Sequence, residues 1–405
     1  MVKIDLGGLP TVNIDTSHPS EVNIGEMKRD IRRRMKGGGG RAVHLSWDTH
    51  KPRLVLTSDT DDFDPTIISH FQEEGFQLSY LVYSGNRSDY LNRLQHLQDP
   101  LELGERYAIV AYGDAAALVL EACMKPMPKL IAVVAYYPPY MPKSTTNFPP
   151  TLNVLIHLAG TQKFGTRHPS YRYPGTQPGF AEHDLDEYDK IGASLAWSRT
   201  LSVLRTAFDV EPFDIEAAWE KHLRLEFGDK DADRTMNTMA RHPYVNHVPT
   251  MTGGIGRHEL RRFYRDFFCP GHPSDLNIRL LSRTIGVDRI VDEMYVKFTH
   301  TTEVPWMLPG VPPTDKKVEV VIVSVVAFRG GKLYHEHVHW DQASVLVQIG
   351  LLDPKYIPRT FKTAEEGRED EVERLPVCGR QAARKVLDED SAPSNQLIPD
   401  WEEED

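Results

Sequence analysis

His335, His337, His339 and Asp341 stand at alternate positions of one run, Tyr334-His335-Glu336-His337-Val338-His339-Trp340-Asp341. Imidazoles and carboxylates exchange protons near neutral pH, so four of them together would supply acid/base chemistry or metal ligands. A strand would align them, because side chains two apart share a face, while Tyr334, Glu336, Val338 and Trp340 share the other. If the histidine face points inward, it brings proton donors and acceptors to an enclosed cavity. Neighbours on such a face lie about 7 Å apart, so adjacent pairs, not all three histidines, could share an ion. The reading adopted is without a metal.

The element that must position these residues is a hairpin. Residues 318–328 are almost unbroken β-branched and aromatic side chains, which predicts a strand buried on both faces. Arg329-Gly330-Gly331-Lys332 then supplies a Gly-rich connection. Ahead of the hairpin, residues 213–227 place Ile215, Trp219, Leu223 and Phe227 at a spacing of four, the mark of an amphipathic helix. A short helix over 231–240 follows, then a polar loop over 241–249 that carries Tyr244, Asn246 and His247. Gly253-x-x-Gly256 lacks the Lys-Ser/Thr pair of a phosphate loop and reads as a turn before a helix over 257–267. Strands over 277–284 and 289–300 come next, and a loop over 301–314 with Trp306 leads into the hairpin. Helices followed by a curved antiparallel sheet predict an α+β cone, its helices capping one side and leaving a cavity.

The span from 53 to about 210 has another rhythm. Apolar β-rich runs at 53–57, 78–83, 107–112, 130–137 and 152–158 alternate with helix-like segments at 66–74, 87–98 and 115–122. A long amphipathic helix over 187–208 closes it. This alternation predicts an α/β domain with a doubly wound, mostly parallel sheet. The span resembles the dienelactone hydrolase branch of the α/β-hydrolases, whose nucleophile sits on a tight strand-to-helix turn. The matching stretch is Ala111-Tyr112-Gly113-Asp114-Ala115-Ala116, with Gly113 at the nucleophile position. No carboxylate stands at Ala159-Gly160-Thr161-Gln162, where the family's acid follows, and Pro178 takes the place of its His ahead of Gly179-Phe180. The resemblance therefore implies a scaffold without its triad; a working hydrolase would need a displaced set using Asp114 or His157.

In the second half, Leu308-Pro309-Gly310-Val311-Pro312-Pro313-Thr314-Asp315-Lys316-Lys317-Val318, then Gly331-Lys332-Leu333 and Asp341, resembles the SnoaL-like polyketide cyclases of the nuclear transport factor 2-like superfamily. The resemblance covers about residues 211–355. It implies a cone lined by a few ionisable residues and working without a cofactor. It also implies that Asp341 matches the acid/base Asp near the end of the last long strand, and that His300 matches a histidine before the Pro-Pro-Thr loop. The epoxide-hydrolase members use two acids with an Arg between them, and residues 300–302 hold no Arg-x-Asp. Superfamily members commonly pair through the sheet, which implies a homodimer.

The expected catalytic set is Asp341 as principal acid or base, His337 as its partner, and His300 and His247 polarising a substrate oxygen. Tyr244, Asn246, Trp306, His335, His339 and Gln342 are expected to shape the substrate pocket. His258 and His272 read as surface residues.

Composition removes other classes. A net charge of -11, with much of the acid beyond Thr363, leaves no basic footprint for nucleic acid, and Arg32-Arg33-Arg34 reads as solvated surface. No run of 18 apolar residues occurs and none lies near Met1, so neither a membrane span nor a signal peptide is expected. Cys123, Cys269 and Cys378 are too few and too scattered for a disulfide framework, which favours a cytoplasmic location. At 405 residues the chain exceeds one core. The expected order is an arm and linker (1–50), the hydrolase-like domain (51–210), the SnoaL-like domain (211–355) and an acidic extension (356–405). The expected function is cofactor-independent acid/base catalysis on a small oxygenated apolar molecule, such as a polyketide or aromatic-derived intermediate: cyclisation, isomerisation, dehydration or epoxide opening. The alternatives are a non-catalytic ligand-binding or dimerisation module, and an ester or lactone hydrolase using the first domain.

Overall fold

The computed structural model describes residues 3–5, 51–142, 147–210, 213–356 and 374–398. The chain clusters into two compact units, Met1–Gly7 with Lys51–Asp405 and, separately, Gly8–His50; both sheets belong to the first. The readings made for residues 6–50 lie outside the described residues.

A short strand β1 (Lys3–Asp5) precedes the first sheet, which holds β2 (Arg53–Ser58), β3 (Gln77–Val82), β4 (Tyr107–Tyr112), β5 (Leu130–Tyr136), β6 (Asn153–Ala159) and β7 (Ser170–Tyr173). Their order is β3-β2-β4-β5-β6-β7 with every pairing parallel. Every residue of β4 is buried, as expected for a parallel strand covered on both faces by helices. The helices are α1 (Pro65–Glu73), α2 (Arg87–Gln95), α3 (Gly113–Ala122) and α4 (Lys190–Phe208), with Asp64, Asn86 and Asp189 accepting from the orphan N–H groups of α1, α2 and α4. The alternation read from sequence is therefore realised as an α/β layer. At its centre β4 runs directly into α3 through Gly113, whose φ of +57 is the left-handed conformation a tight strand-to-helix turn requires.

The second sheet has the order β1-β10-β11-β12-β13-β8-β9, with β8 (Met239–His247), β9 (Thr252–Ile255), β10 (Asn277–Ile285), β11 (Arg289–Thr299), β12 (Lys317–Arg329) and β13 (Lys332–Trp340). Its inner face is covered by α5 (Ile215–Leu223), α6 (Ala232–Asn237) and α7 (Gly256–Phe263). Trp219, Leu223 and Phe227 lie in this core, as their spacing predicts. Past Leu223 the helix widens into a π-turn over Arg224–Asp229, which buries Leu225, Glu226 and Phe227 in succession.

Three expectations are corrected. β12 is not buried on both faces: buried and half-buried positions alternate from Val318 to Val326. The supposed polar loop over 241–249 is mostly strand β8, lying parallel to β13. Pro243 is tolerated there because it falls in a register shift between Met239 and Tyr244, where no ladder bond is needed. The turn at Gly253 is strand β9, in which a Cβ on Gly253 would meet the Val245 carbonyl oxygen at 2.2 Å. The described part of the extension lies against its own chain, where α9 (Arg380–Leu387) sends Arg384 to both carboxylate oxygens of Glu319 at 2.7 and 2.8 Å. Residues 357–373 and 399–405 of that extension are outside the described set.

The layers meet at the β12–β13 turn. Gly330 and Gly331 both have positive φ, and a Cβ on Gly330 would come within 2.6 Å of the Glu73 carbonyl oxygen. Two groups converge on the Glu74 carboxylate there: Gly330 N donates at 2.9 Å, and the Arg205 guanidinium of α4 pairs with its other oxygen.

Candidate active site

The interior of the cone holds a cavity of about 40 Å³. Its walls are apolar, from Leu223, Met294, Val296, Ile322 and Val338, and its polar groups are Glu226, Glu336, Ser324, Tyr264 and His247. Glu336 comes from β13 and Ser324 from β12, cross-strand neighbours whose Oγ–H donates to Glu336 Oε1 at 2.7 Å. Glu226 comes from the π-turn, and His222, one turn earlier on α5, donates from Nε2 to its Oε1 at 2.9 Å.

Both nitrogens of His222 carry protons in this arrangement. The Thr238 hydroxyl spends its one proton on the Thr235 carbonyl oxygen at 2.6 Å, so it can only accept from His222 Nδ1, 2.5 Å away. The electrostatics agree. Burial alone would lower the His222 pKa, but the Glu226 charge and hydrogen bond raise it above the ordinary histidine value. For Glu336, burial opposes ionisation and the Glu226 charge adds to it, so its carboxyl is pushed well above the usual range. Tyr264 is driven upward by burial and by Glu226, to which its hydroxyl bonds, and it stays a proton donor. His247 is neutral, burial taking it down to about 4. Its Nδ1 faces the Thr252 carbonyl oxygen at 3.2 Å, which leaves the lone pair on Nε2. Below this group, Arg283 makes a bidentate pair with Asp292 at 2.8 and 2.8 Å, and Trp219 Nε1 donates to the same carboxylate. That network anchors α5, and hence His222 and Glu226, to the sheet.

Donor atoms of His222, Glu226 and Glu336 all lie within 4.8 Å of one another. One imidazole and two carboxylates could hold a divalent cation, which would take the place of the proton between His222 and Glu226.

The residues singled out from sequence are divided by the fold. His247 and Trp306 line the cavity. The rest of the predicted set does not, and on β13 the face opposite the histidines turns inward: Glu336, Val338 and Trp340 are buried, while His335 and His337 are half-buried and His339 is exposed. Tyr244 packs edge-on to His337 on this outer side at 5.4 Å, and Asn246 sits opposite His337 in the ladder. Asp341, expected as the principal acid or base, is exposed and caps α8 (Gln342–Ile349), accepting from Ser344 N at 3.1 Å. Gln342 braces the loop over 301–314 by donating to the Met307 carbonyl oxygen at 2.9 Å. His300 is buried behind that loop, with Nδ1 against Thr314 Oγ1 at 3.1 Å and its backbone oxygen accepting from Thr314 and Asp315. His272, read as surface, is buried against Phe268 and Phe227. His222, Glu226, Tyr264, Ser324 and Glu336 were missed. A signal for them exists: His222 and Glu226 sit one helical turn apart within the apolar spacing of α5, and Glu336 shares its face with Val338 and Trp340.

A family model for the SnoaL-like domain matches residues 219–336. This part of the chain is similar to the SnoaL-like domains. It contains the whole polar cluster, from Trp219 at one end to Glu336 at the other. Among solved structures, TsrD from Streptomyces laurentii is 16% identical, with 34% of this chain and 96% of that one covered at a TM-score of 0.27. A protein of Jannaschia sp. CCS1 named for the SnoaL-like polyketide cyclases is 18% identical, covering 35% and 99% at a TM-score of 0.28. The epoxide hydrolase/cyclase-like enzyme SalBIII of salinomycin pyran ring formation is 13% identical, covering 31% and 90% at 0.25. Likeness of that degree is too slight to carry an activity. No curated protein matches the chain. Among the described residues no helix is long and apolar enough to cross a membrane.

Proposed function

We propose that the chain is a cofactor-independent acid/base enzyme of the SnoaL-like kind, acting inside the cone on a small oxygenated apolar molecule. The observation that carries this is Glu336, a fully enclosed carboxyl held toward its protonated form, facing an apolar cavity beside the His222–Glu226 pair. A carboxyl held protonated near neutrality is a general acid. Glu336 gives its proton to a carbonyl, hydroxyl or epoxide oxygen, the Tyr264 hydroxyl holds the Glu226 carboxylate beside it, and His247 Nε2 accepts the proton released elsewhere on the substrate. His222 does not line the cavity; it positions Glu226 and supplies positive charge behind it. Such chemistry covers ring closure, isomerisation, dehydration and epoxide opening, and general acid/base groups contribute about 10²–10⁴-fold each.

The test is product formation, followed by mass spectrometry, from small lactones, epoxides and linear polyketide mimics. Glu336→Gln is expected to lose turnover by about 10²-fold or more, while Asp341→Asn keeps it. The reverse pattern would move the chemistry out of the cone. A second reading, a non-catalytic binding module, is favoured by the cavity's size: about 40 Å³ holds roughly three waters. Saturable binding without turnover of any compound would select it. The lactone hydrolase alternative has no nucleophile at Gly113, the turn where one would stand.

A further inference from the structure

A second cavity, of about 70 Å³, lies between the two layers, where α4 and the far end of α1 face the β12–β13 hairpin. This is where the outward histidine face of β13 leads, since His335 forms part of the wall. Three polar atoms of wall residues are buried and have no hydrogen-bond partner: Arg329 Nε, Arg329 Nη1 and Trp197 Nε1. All three can only donate. The Arg329 guanidinium lies 4.8 Å from the Trp197 ring and 4.2 Å from the Tyr334 ring, so its faces are stacked while these N–H groups find no acceptor.

Of the acids whose charge reaches Arg329, Glu73 is exposed at the surface and Asp288 accepts from Ser198 Oγ at 2.7 Å. Glu74 accepts from Gly330 N and Arg205. Asp64 Oδ2 accepts from both the backbone N and Nδ1 of His183, at 2.6 and 2.8 Å. Lys190 adds a second cation to the wall. His70 and His335 stay neutral: burial, followed by Arg329 for the one and Arg289 for the other, lowers them to about 3 and about 4. Unmatched buried donors are rare in folded proteins and call for an acceptor. Here the donors include a guanidinium, so the acceptor that fits best is negatively charged. Much of the rest of the wall is aromatic, with Tyr112, Tyr188 and Tyr334 beside Ile67 and Ala193, and the space holds a ligand of only a few non-hydrogen atoms.

We propose that this cavity binds a small organic carboxylate, its oxygens accepting from Arg329 and Trp197 and its apolar body lying against the tyrosines. The site is separate from the cone interior and stands whether or not the cone is catalytic.

The full chain, labelled with ¹⁵N-tryptophan, is titrated with acetate, propionate and inorganic phosphate, and Trp197→Phe identifies the Trp197 indole resonance. A saturable shift of that resonance with a carboxylate is expected, with at least tenfold weaker binding in Arg329→Met. No saturable shift with any of the three anions overturns the site. Phosphate binding as tightly as the carboxylates overturns the ligand class, and undiminished affinity in Arg329→Met overturns the role of the guanidinium. If Arg329→Met lacks the native circular dichroism spectrum, Ala193→Leu takes its place, narrowing the cavity from α4 without removing a charge; unchanged affinity there overturns the proposal.

Discussion

Replacing Glu336 by Gln should make the protein more stable above neutral pH while removing its activity. Glu336 is enclosed by the cone, with Ser324 as hydrogen-bond donor and Glu226 as a like charge nearby. Its carboxyl rises from the ordinary 4.5 to about 7. At about 1.4 kcal/mol per tenfold change in proton affinity, that difference amounts to roughly 3 kcal/mol. The folded state holds a proton that the unfolded chain releases, so this stability is fully present below pH 4.5 and is lost as pH rises through 7. Gln keeps an oxygen for Ser324 and does not titrate. Urea unfolding of both proteins at steps from pH 4.5 to 8, compared by midpoint and slope, should give a stability difference that climbs in favour of Glu336→Gln by roughly 3 kcal/mol. A flat difference across that range would refute the account of Glu336 as a carboxyl kept protonated by burial, and with it the general-acid assignment.

The Ser324 bond favours the ionised form of Glu336, so Ser324→Ala should move the alkaline fall of the pH–rate profile to higher pH; a move to lower pH would contradict the assigned direction. Asp292→Ala leaves Trp219 Nε1 without its acceptor and Arg283 with only Glu216 and Glu220, and should cost about 1–3 kcal/mol in chemical denaturation; a loss below about 1 kcal/mol would mean that this network does not hold α5 in place. Asp341→Ala should cost about 1 kcal/mol through the lost helix cap and leave turnover unchanged. A large drop in turnover at that small stability cost would restore Asp341 to the site. Added Zn²⁺ or Mn²⁺ measured by calorimetry should give no stoichiometric binding that Glu336→Gln abolishes; such binding would assign the His222, Glu226 and Glu336 cluster to a metal.

Much of the architecture was written locally. Period-two alternation, β-branched runs and the Gly330-Gly331 turn were enough for β12 and β13, and the spacing of Trp219, Leu223 and Phe227 was enough for α5. Residues 241–249 read as a loop because Pro243 and polar side chains mask a strand whose ladder partners are almost a hundred residues away in β13. The alternation of β13 sorted its side chains into two sets, but a period of two is indifferent to which set faces the core. Burial decided that: enclosing Val338 and Trp340 is favourable, while enclosing three imidazoles is costly, so the histidines turned outward and Glu336 went in with its apolar neighbours. The buried cluster of His222, Glu226 and Glu336 was beyond sequence for another reason. His222 and Glu226 are neighbours on one helix, but Glu336 lies more than a hundred residues further on, and only the packing of α5 across the sheet brings their charges close enough to shift one another.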